Sequence, residues 1–542
     1  MPTPRLAPDP KDPWSPIDFA SVSGGQPIGY IRGRVTVAVT DGEQLEALVE
    51  RGPSILERFS YDQASPEPRL IYHDEKGRDL GRAALESGYL SFRLGPAVVG
   101  RLEGDGREFD AVSALTEAGF EASVDPVYFA GTQWAGSPIS IPHPISIPHP
   151  ISIPHPISIP HPISIPHPIS IPHGSGGGGG GHCGSGQSSM CCCDDPITGG
   201  TGGVRRTPAP RQSTSSYIEG EIIERARPSS GKEVCVLIVD TFPWDDPKNE
   251  ATARELVYAT LLTDPDINIG ANTANPVYVS NFDGDGYVDP VYGHSKFIES
   301  IVKRVAPNAA TNIQHVPVMT GFGISSDRVV ADSLQKWWDA NEDVGPGVVS
   351  MSLGTYTDDD QRPIATRKII DEMRAAGWVF VGSAGNSASC RPIWPAADPR
   401  TVGVGATGPN GPAWFTNYGS WVNACAPGQD VVAAFPSSRI LLDGQSKPAD
   451  DELLLTDEQE ARSTATAESA KEAEAKEKIW AQWSGTSFST PAVAGAIAHL
   501  AGELAWNDSA VDRGHLREAV DDLINDPALL RLPGLGTVVN VT

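Results

Sequence analysis

Sulfur, long apolar runs and positive charge are all scarce in this chain of 542 residues. Four of its seven cysteines, Cys183 and Cys191 to Cys193, sit in one low-complexity segment, which is not how a disulfide scaffold spaces them. No apolar run reaches bilayer-spanning length, and residues 1–25, rich in Pro, Asp and Ser, hold no apolar core of signal-peptide length. The expected location is cytoplasmic, with secretion by an unrecognised route as the alternative. Lys and Arg total 41 against 68 Asp and Glu, a formal charge of -27. Such a field repels nucleic acid and anionic membranes, so neither is an expected partner. Length, by contrast, is ample for two or three domains, including a core of roughly 300 residues that buries most of its apolar surface.

After a flexible start over residues 1–25, residues 26–130 read as a small α+β domain. Residues 33–40 predict a strand, 43–50 a helix, 70–73 and 90–94 two strands, 109–118 a helix stopped by Gly119, and 121–130 a last strand. This order, β-α-β-β-α-β, is the split βαβ or ferredoxin-like arrangement. Residues 131–215 predict a linker. Within it the hexapeptide Pro-Ile-Ser-Ile-Pro-His repeats six times over residues 138–173. Two prolines in every six residues forbid a helix and favour a polyproline rod, whose successive histidines lie about 19 Å apart, too far to share an ion. The Gly-rich run that follows carries His182 and the four clustered cysteines, in a spacing that fits no standard metal site.

Residues 216–542 have a different character. Val234 to Val239 is a continuous apolar run, the mark of a strand buried on both faces, and it ends at Asp240. Residues 347–352 and 378–383 resemble it. Between such runs, stripes such as Phe297, Ile298, Ile301, Val302 and Val305, or Ile369, Met373 and Ala376, predict helices. The alternation means α/β with a mostly parallel sheet. Residues 437–480 interrupt it as a polar insertion, a solvated helix or loop just ahead of Ser484. Cys235 is expected as a buried strand thiol, and Cys390 and Cys425 as a pair that could meet near the catalytic face.

Ser487 opens a helix whose apolar positions Ala492, Val493, Ala496, Ile497 and Leu500 share one side, with Pro491 expected in the first turn. Alone, such a serine reads as an N-cap. Asp240 at a strand end and His294 at a helix start alter that reading, because strand carboxyl ends and helix amino ends share one edge of a parallel sheet. A serine hydroxyl needs a histidine to take its proton, and the imidazole needs a carboxylate to orient it and stabilise its charge. Asn386, just after a strand, can point its amide at an oxyanion beside the Ser487 N–H.

Together these residues resemble the subtilisin-like serine peptidases, the subtilase or peptidase S8 family. Gly485-Thr486-Ser487 with Pro491 and Val493-Ala494-Gly495 resembles the family's serine motif, and Ala384-Gly385-Asn386 its oxyanion motif. Val239-Asp240-Thr241 and Gly293-His294 stand where its aspartate and histidine motifs would. The resemblance implies a subtilisin-like three-layer domain with a mostly parallel central sheet, closed by residues 534–541. It implies a triad of Asp240, His294 and Ser487 and an oxyanion hole from Asn386 and Ser487. Ser352, Leu353 and Gly354, with Ala384 and Gly385, would bind an extended peptide. It further implies a monomer acting on peptide or protein substrates through an acyl-enzyme, with no cofactor for chemistry. Structural calcium is common in the family, and Asp283, Asp285 and Asp289 have the alternating carboxylates to bind it. The N-terminal domain is similar to a prodomain, implying autoprocessing and a cis chaperone and inhibitor whose last strand, residues 124–130, enters the cleft like a product. Two motifs depart from the family pattern. His294-Ser295-Lys296-Phe297 replaces His-Gly-Thr-His, and Asp240-Thr241-Phe242 lacks the usual glycine, which bears on how closely helix and strand approach. The alternative is an inactive peptide-binding homologue. A third reading makes the linker the enzyme's own substrate.

Overall fold

A strand covered on both faces has no use for polar alternation, and Val236–Asp240 is buried at every position. The computed structural model describes residues 17–20, 27–59, 69–70, 80–94, 107–130, 205–207, 231–241, 291, 293–307, 312–319, 323–341, 343–435 and 479–539. In it this strand lies inside a sheet ordered 531–532, 536–538, 424–427, 401–408, 379–383, 348–351, 236–240 and 313–317. From Gly536–Val538 to Ile313–Pro317 every neighbouring pair is parallel. Helices His294–Val305, Asp327–Ala340, Ile364–Ala375 and Thr486–Leu504 join the sheet in one continuous apolar core, where Phe297, Ile301 and Val302 share packing with Ala492, Val493 and Ile497. This is an α/β fold. No helix among the described residues is long and apolar enough to cross a membrane.

The smaller N-terminal sheet has the order Ala122–Ala130, Ile28–Ala38, Tyr89–Arg93, Arg69–Leu70, with every neighbouring pair antiparallel. Gly42–Leu56 and Arg107–Glu117 cover it around Val35, Val37, Leu48, Phe92 and Leu115. A helix at Leu80–Ser87 has no counterpart in the sequence reading, which assigns no element there.

Other differences concern segments read as polar. Arg205–Thr207, assigned to the linker, forms a strand antiparallel to Ile479–Trp483, which also pairs with Val431–Phe435. Ordered backbone therefore reaches two residues into the stretch assigned to the insertion. The hexapeptide repeat, His182, the Cys183 and Cys191 to Cys193 cluster, most of the insertion, and Asp283, Asp285 and Asp289 lie outside the described residues. Cys235, Cys390 and Cys425 are free thiols, so the expected approach of the last two produces no disulfide. Burial pushes Cys235 and Cys425 each up to about 12, which keeps both protonated and inert.

The two units meet along one strand. Ala122–Ala130 runs beyond the small sheet and enters between Ile324–Ser326 and Leu353–Gly354, antiparallel to both. Around it, Ala38 and Tyr89 pack on Ala331, Ile364 and Ala365, and the Tyr89 hydroxyl donates to Asp332 Oδ1 at 2.6 Å. Arg34 and Asp125 form a fully buried ion pair at 2.9 Å. Asp327 lies beneath the inserted strand, its carboxylate accepting from the backbone N–H groups of Ala365 at 2.6 Å and Thr366 at 3.2 Å. Burial, then the Asp125 carboxylate, pushes Asp327 up to about 7, against the pull of those donors.

The sign of the resulting pH dependence follows from linkage. A carboxyl whose pKa is raised by folding stabilises the folded chain fully below about pH 4 and loses that contribution as pH climbs to about 7. Removing the titrating group should remove this component. Over that interval the Tm of Asp327→Asn should rise relative to wild type, and parallel curves would contradict the assignment.

Candidate active site

Asp240 reaches the site because its strand ends there, and His294 because its helix begins there. His294 Nδ1 lies 2.7 Å from Asp240 Oδ1, with both side chains fully buried. Burying such a pair is costly unless hydrogen bonds replace the lost water. Thr241 supplies two, donating its N–H at 2.6 Å and its hydroxyl at 3.0 Å to Asp240 Oδ1, while Oδ2 is buried without a partner among the described residues. The same hydroxyl oxygen accepts the Ser295 N–H at 3.1 Å, which ties the histidine helix to the aspartate strand. Of the motif departures, Ser295 thus falls within a bonded contact, and Phe242 lies outside the described residues. Ser295 Oγ also lies 3.0 Å from His315 Nδ1, on the strand beside Val236–Asp240. The imidazole packs edge-on to Trp483 and tilted against Phe488, with ring centroids 5.4 and 5.5 Å away. Its Nε2 is buried without a hydrogen-bond partner among the described residues.

Ser487 is the second residue of Thr486–Leu504, and its Oγ donates to the Ser352 carbonyl at 3.3 Å. Here the sequence expectation for Pro491 needs correcting. It is the sixth residue of the helix, beyond the first turn, so the Ser487 carbonyl lacks the N–H that would normally come from four residues on. Ser352 Oγ replaces it at 2.8 Å. This reciprocal contact fixes the serine turn against the strand Leu353–Gly354.

Asn386 is held by its amide oxygen, which accepts from the Thr486 N–H and the Thr486 hydroxyl at 2.9 Å each. Thr486 Oγ1 also accepts the Gly385 N–H at 3.1 Å. Gly385 has φ +91°, and a Cβ there would lie 2.6 Å from Asn417 Nδ2, so the turn requires glycine twice over. Asn417 is a framework residue that the sequence reading missed. Its Oδ1 accepts from the N–H groups of Ser387 at 2.9 Å and Ser389 at 3.0 Å, and no spacing rule marks so distant a partner. Ala384 is buried in a cluster with Val422, Cys425 and Leu535. Leu353 and Gly354 meet Ala130 and Phe129, so the edge expected to bind peptide carries the chain's own strand. The described residues contain no group of three or more metal-ligating side chains.

These are the groups that a serine hydrolase needs, carried at the shared edge of a parallel sheet. Residues 290–536 match the family model described as Subtilase family, a span that holds His294, Asn386 and Ser487 and begins after Asp240. Over this span the chain is similar to that family of serine peptidases. It is similar to an alkaline protease of Alkalihalobacillus alcalophilus, 27% identical over 267 residues that make up 48% of this chain and 57% of that protein. It is also similar to subtilisin Savinase of Lederbergia lenta, 25% identical over 265 residues, 48% of this chain and 80% of the relative. A crystal structure of a cold adapted subtilisin-like serine proteinase aligns over 61% of this chain and 95% of its own, at 18% identity and a TM-score of 0.35.

Ser352→Ala should leave the Ser487 carbonyl buried without a donor. The expected cost is about 1–3 kcal/mol of folding stability, read as a lower urea midpoint at unchanged slope.

Proposed function

We propose that this chain is a serine endopeptidase in which Asp240, His294 and Ser487 form the triad. The observation that carries the reading is the buried 2.7 Å contact of His294 Nδ1 with Asp240, which leaves Nε2 unpartnered close to the serine helix. For the reaction, Ser487 Oγ must leave the Ser352 carbonyl for Nε2. His294 then takes the hydroxyl proton as the oxygen attacks a peptide carbonyl, while Asp240 stabilises the imidazolium. The oxyanion is received by the Asn386 amide and the Ser487 N–H. Collapse of the tetrahedral species breaks the C–N bond, and His294 gives its proton to the departing amine. Water, activated by the same imidazole, hydrolyses the acyl-enzyme and restores the serine.

The N-terminal unit fits a ferredoxin-like prodomain by its strand order and by where Ala122–Ala130 lies. In this reading it inhibits in cis, filling the edge that an extended substrate would pair with, and autoprocessing separates it. Supporting that role, the Thr355 hydroxyl donates to the Val127 carbonyl at 2.7 Å and clamps the strand in place. The proposed chemistry uses groups of the chain itself, the Ser487 backbone N–H among them. Structural calcium at Asp283, Asp285 and Asp289 is a separate proposal that rests on their alternation in the sequence.

An active-site fluorophosphonate should label purified wild type and leave Ser487→Ala unlabelled. An unlabelled wild type that still binds peptides would favour the inactive homologue. Loosening the clamp by Thr355→Val should raise the initial rate of casein hydrolysis by the full chain roughly fivefold, the worth of one net hydrogen bond. An unchanged rate would argue against cis inhibition.

A further inference from the structure

Alternate residues of the inserted strand face opposite ways. Tyr128 and Ala130 enter the core of the large unit, while Val127 and Phe129 pack with Ile17, Ile31 and Ile324. The end at Ala130 points toward the reacting groups: Ala130 pairs with Leu353, the residue next to Ser352, whose carbonyl accepts from Ser487 Oγ.

The two inward side chains meet different surroundings. Tyr128 is fully buried, its hydroxyl 3.2 Å from Thr366 Oγ1 and 3.4 Å from Asp327 Oδ1. Thr366 spends its own proton on Asp327 Oδ1 at 2.7 Å, so its oxygen is left to accept from the phenol. Burial, then the Asp327 carboxylate, holds the Tyr128 phenol well above its ordinary range, which keeps it a donor. Ala130, by contrast, has almost no space. Its N–H donates to the Gly323 carbonyl at 2.8 Å. A Cβ on Gly323 would lie 2.9 Å from the Ala130 Cβ and 2.9 Å from Val291 Cγ2, so Ala130 sits close against a wall that has no slack of its own.

We infer that the cleft selects extended chains carrying tyrosine two residues before a small residue, with Thr366 and Asp327 reading the tyrosine hydroxyl and the Gly323–Val291 wall excluding larger side chains at the second position. This rests on the peptidase reading and assigns it a substrate class. A site that bonds a hydroxyl discriminates against the analogue without it, because its own polar groups then lose a partner. Overfilling a close-packed slot is resisted by a comparable amount.

The test compares kcat/KM of the purified full chain on three fluorogenic peptides containing Val-Tyr-Phe-Ala, Val-Phe-Phe-Ala and Val-Tyr-Phe-Leu ahead of the cleaved bond. An occupant of the cleft lowers all three rates by one factor, so their ratios survive it. The expected preference is roughly tenfold for tyrosine over phenylalanine and at least roughly tenfold for alanine over leucine. Thr366→Val should reduce the first ratio severalfold and leave the second unchanged. Fluorophosphonate labelling with equal rates on all three peptides would overturn this inference alone, as would a tyrosine preference that persists in Thr366→Val. Absence of both labelling and casein hydrolysis would remove the peptidase reading and this one with it.

Discussion

A carboxylate and an imidazole 2.7 Å apart, neither exposed to water, impose a condition that much of the surrounding structure serves. Without replacement hydrogen bonds such a pair would be expensive to bury. Thr241 meets the need at one oxygen of the aspartate, Trp483 and Phe488 pack against the imidazole, and Phe297 packs on both of those rings. The parallel sheet supplies the geometry, since strand ends and helix starts fall on one edge whatever their distance in sequence.

The serine side obeys a second condition, set by one missing proton. Pro491 removes an N–H from the interior of the serine helix, and Ser352 supplies the replacement from the neighbouring strand. A local defect in the helix thereby becomes a link between the serine turn and the strand that pairs with extended chain.

What could be read from the residues, and what could not, follows from the range of the interactions. Asp240 stood out because a carboxylate ends a run of apolar residues, and the serine helix because its apolar positions keep helical spacing. The small sheet's main strands were legible from alternation and turn glycines such as Gly119. The Ser352 contact was hidden, because it answers a vacancy 135 residues away. Tyr128 and Asp327 were hidden likewise, being 199 residues apart and joined only when the strand inserts. The helix at Leu80–Ser87 is short and weakly apolar on average, so periodicity had little to work on.

The inserted strand has neighbours on both sides at its far end, and each of those neighbours pairs with it. Separation of the two units would therefore uncover three bare edges at once: Ile324–Ser326, Leu353–Gly354 and the end of Ala122–Ala130. Bare edges invite pairing between molecules, a route to aggregation. Asp125 and Pro126 break the ladder in the middle of the strand, where its pairing with Ile28–Ala38 shifts register. A charge and a proline in that position hinder growth of a continuous intermolecular sheet, so the strand that joins the units also limits the hazard of parting them.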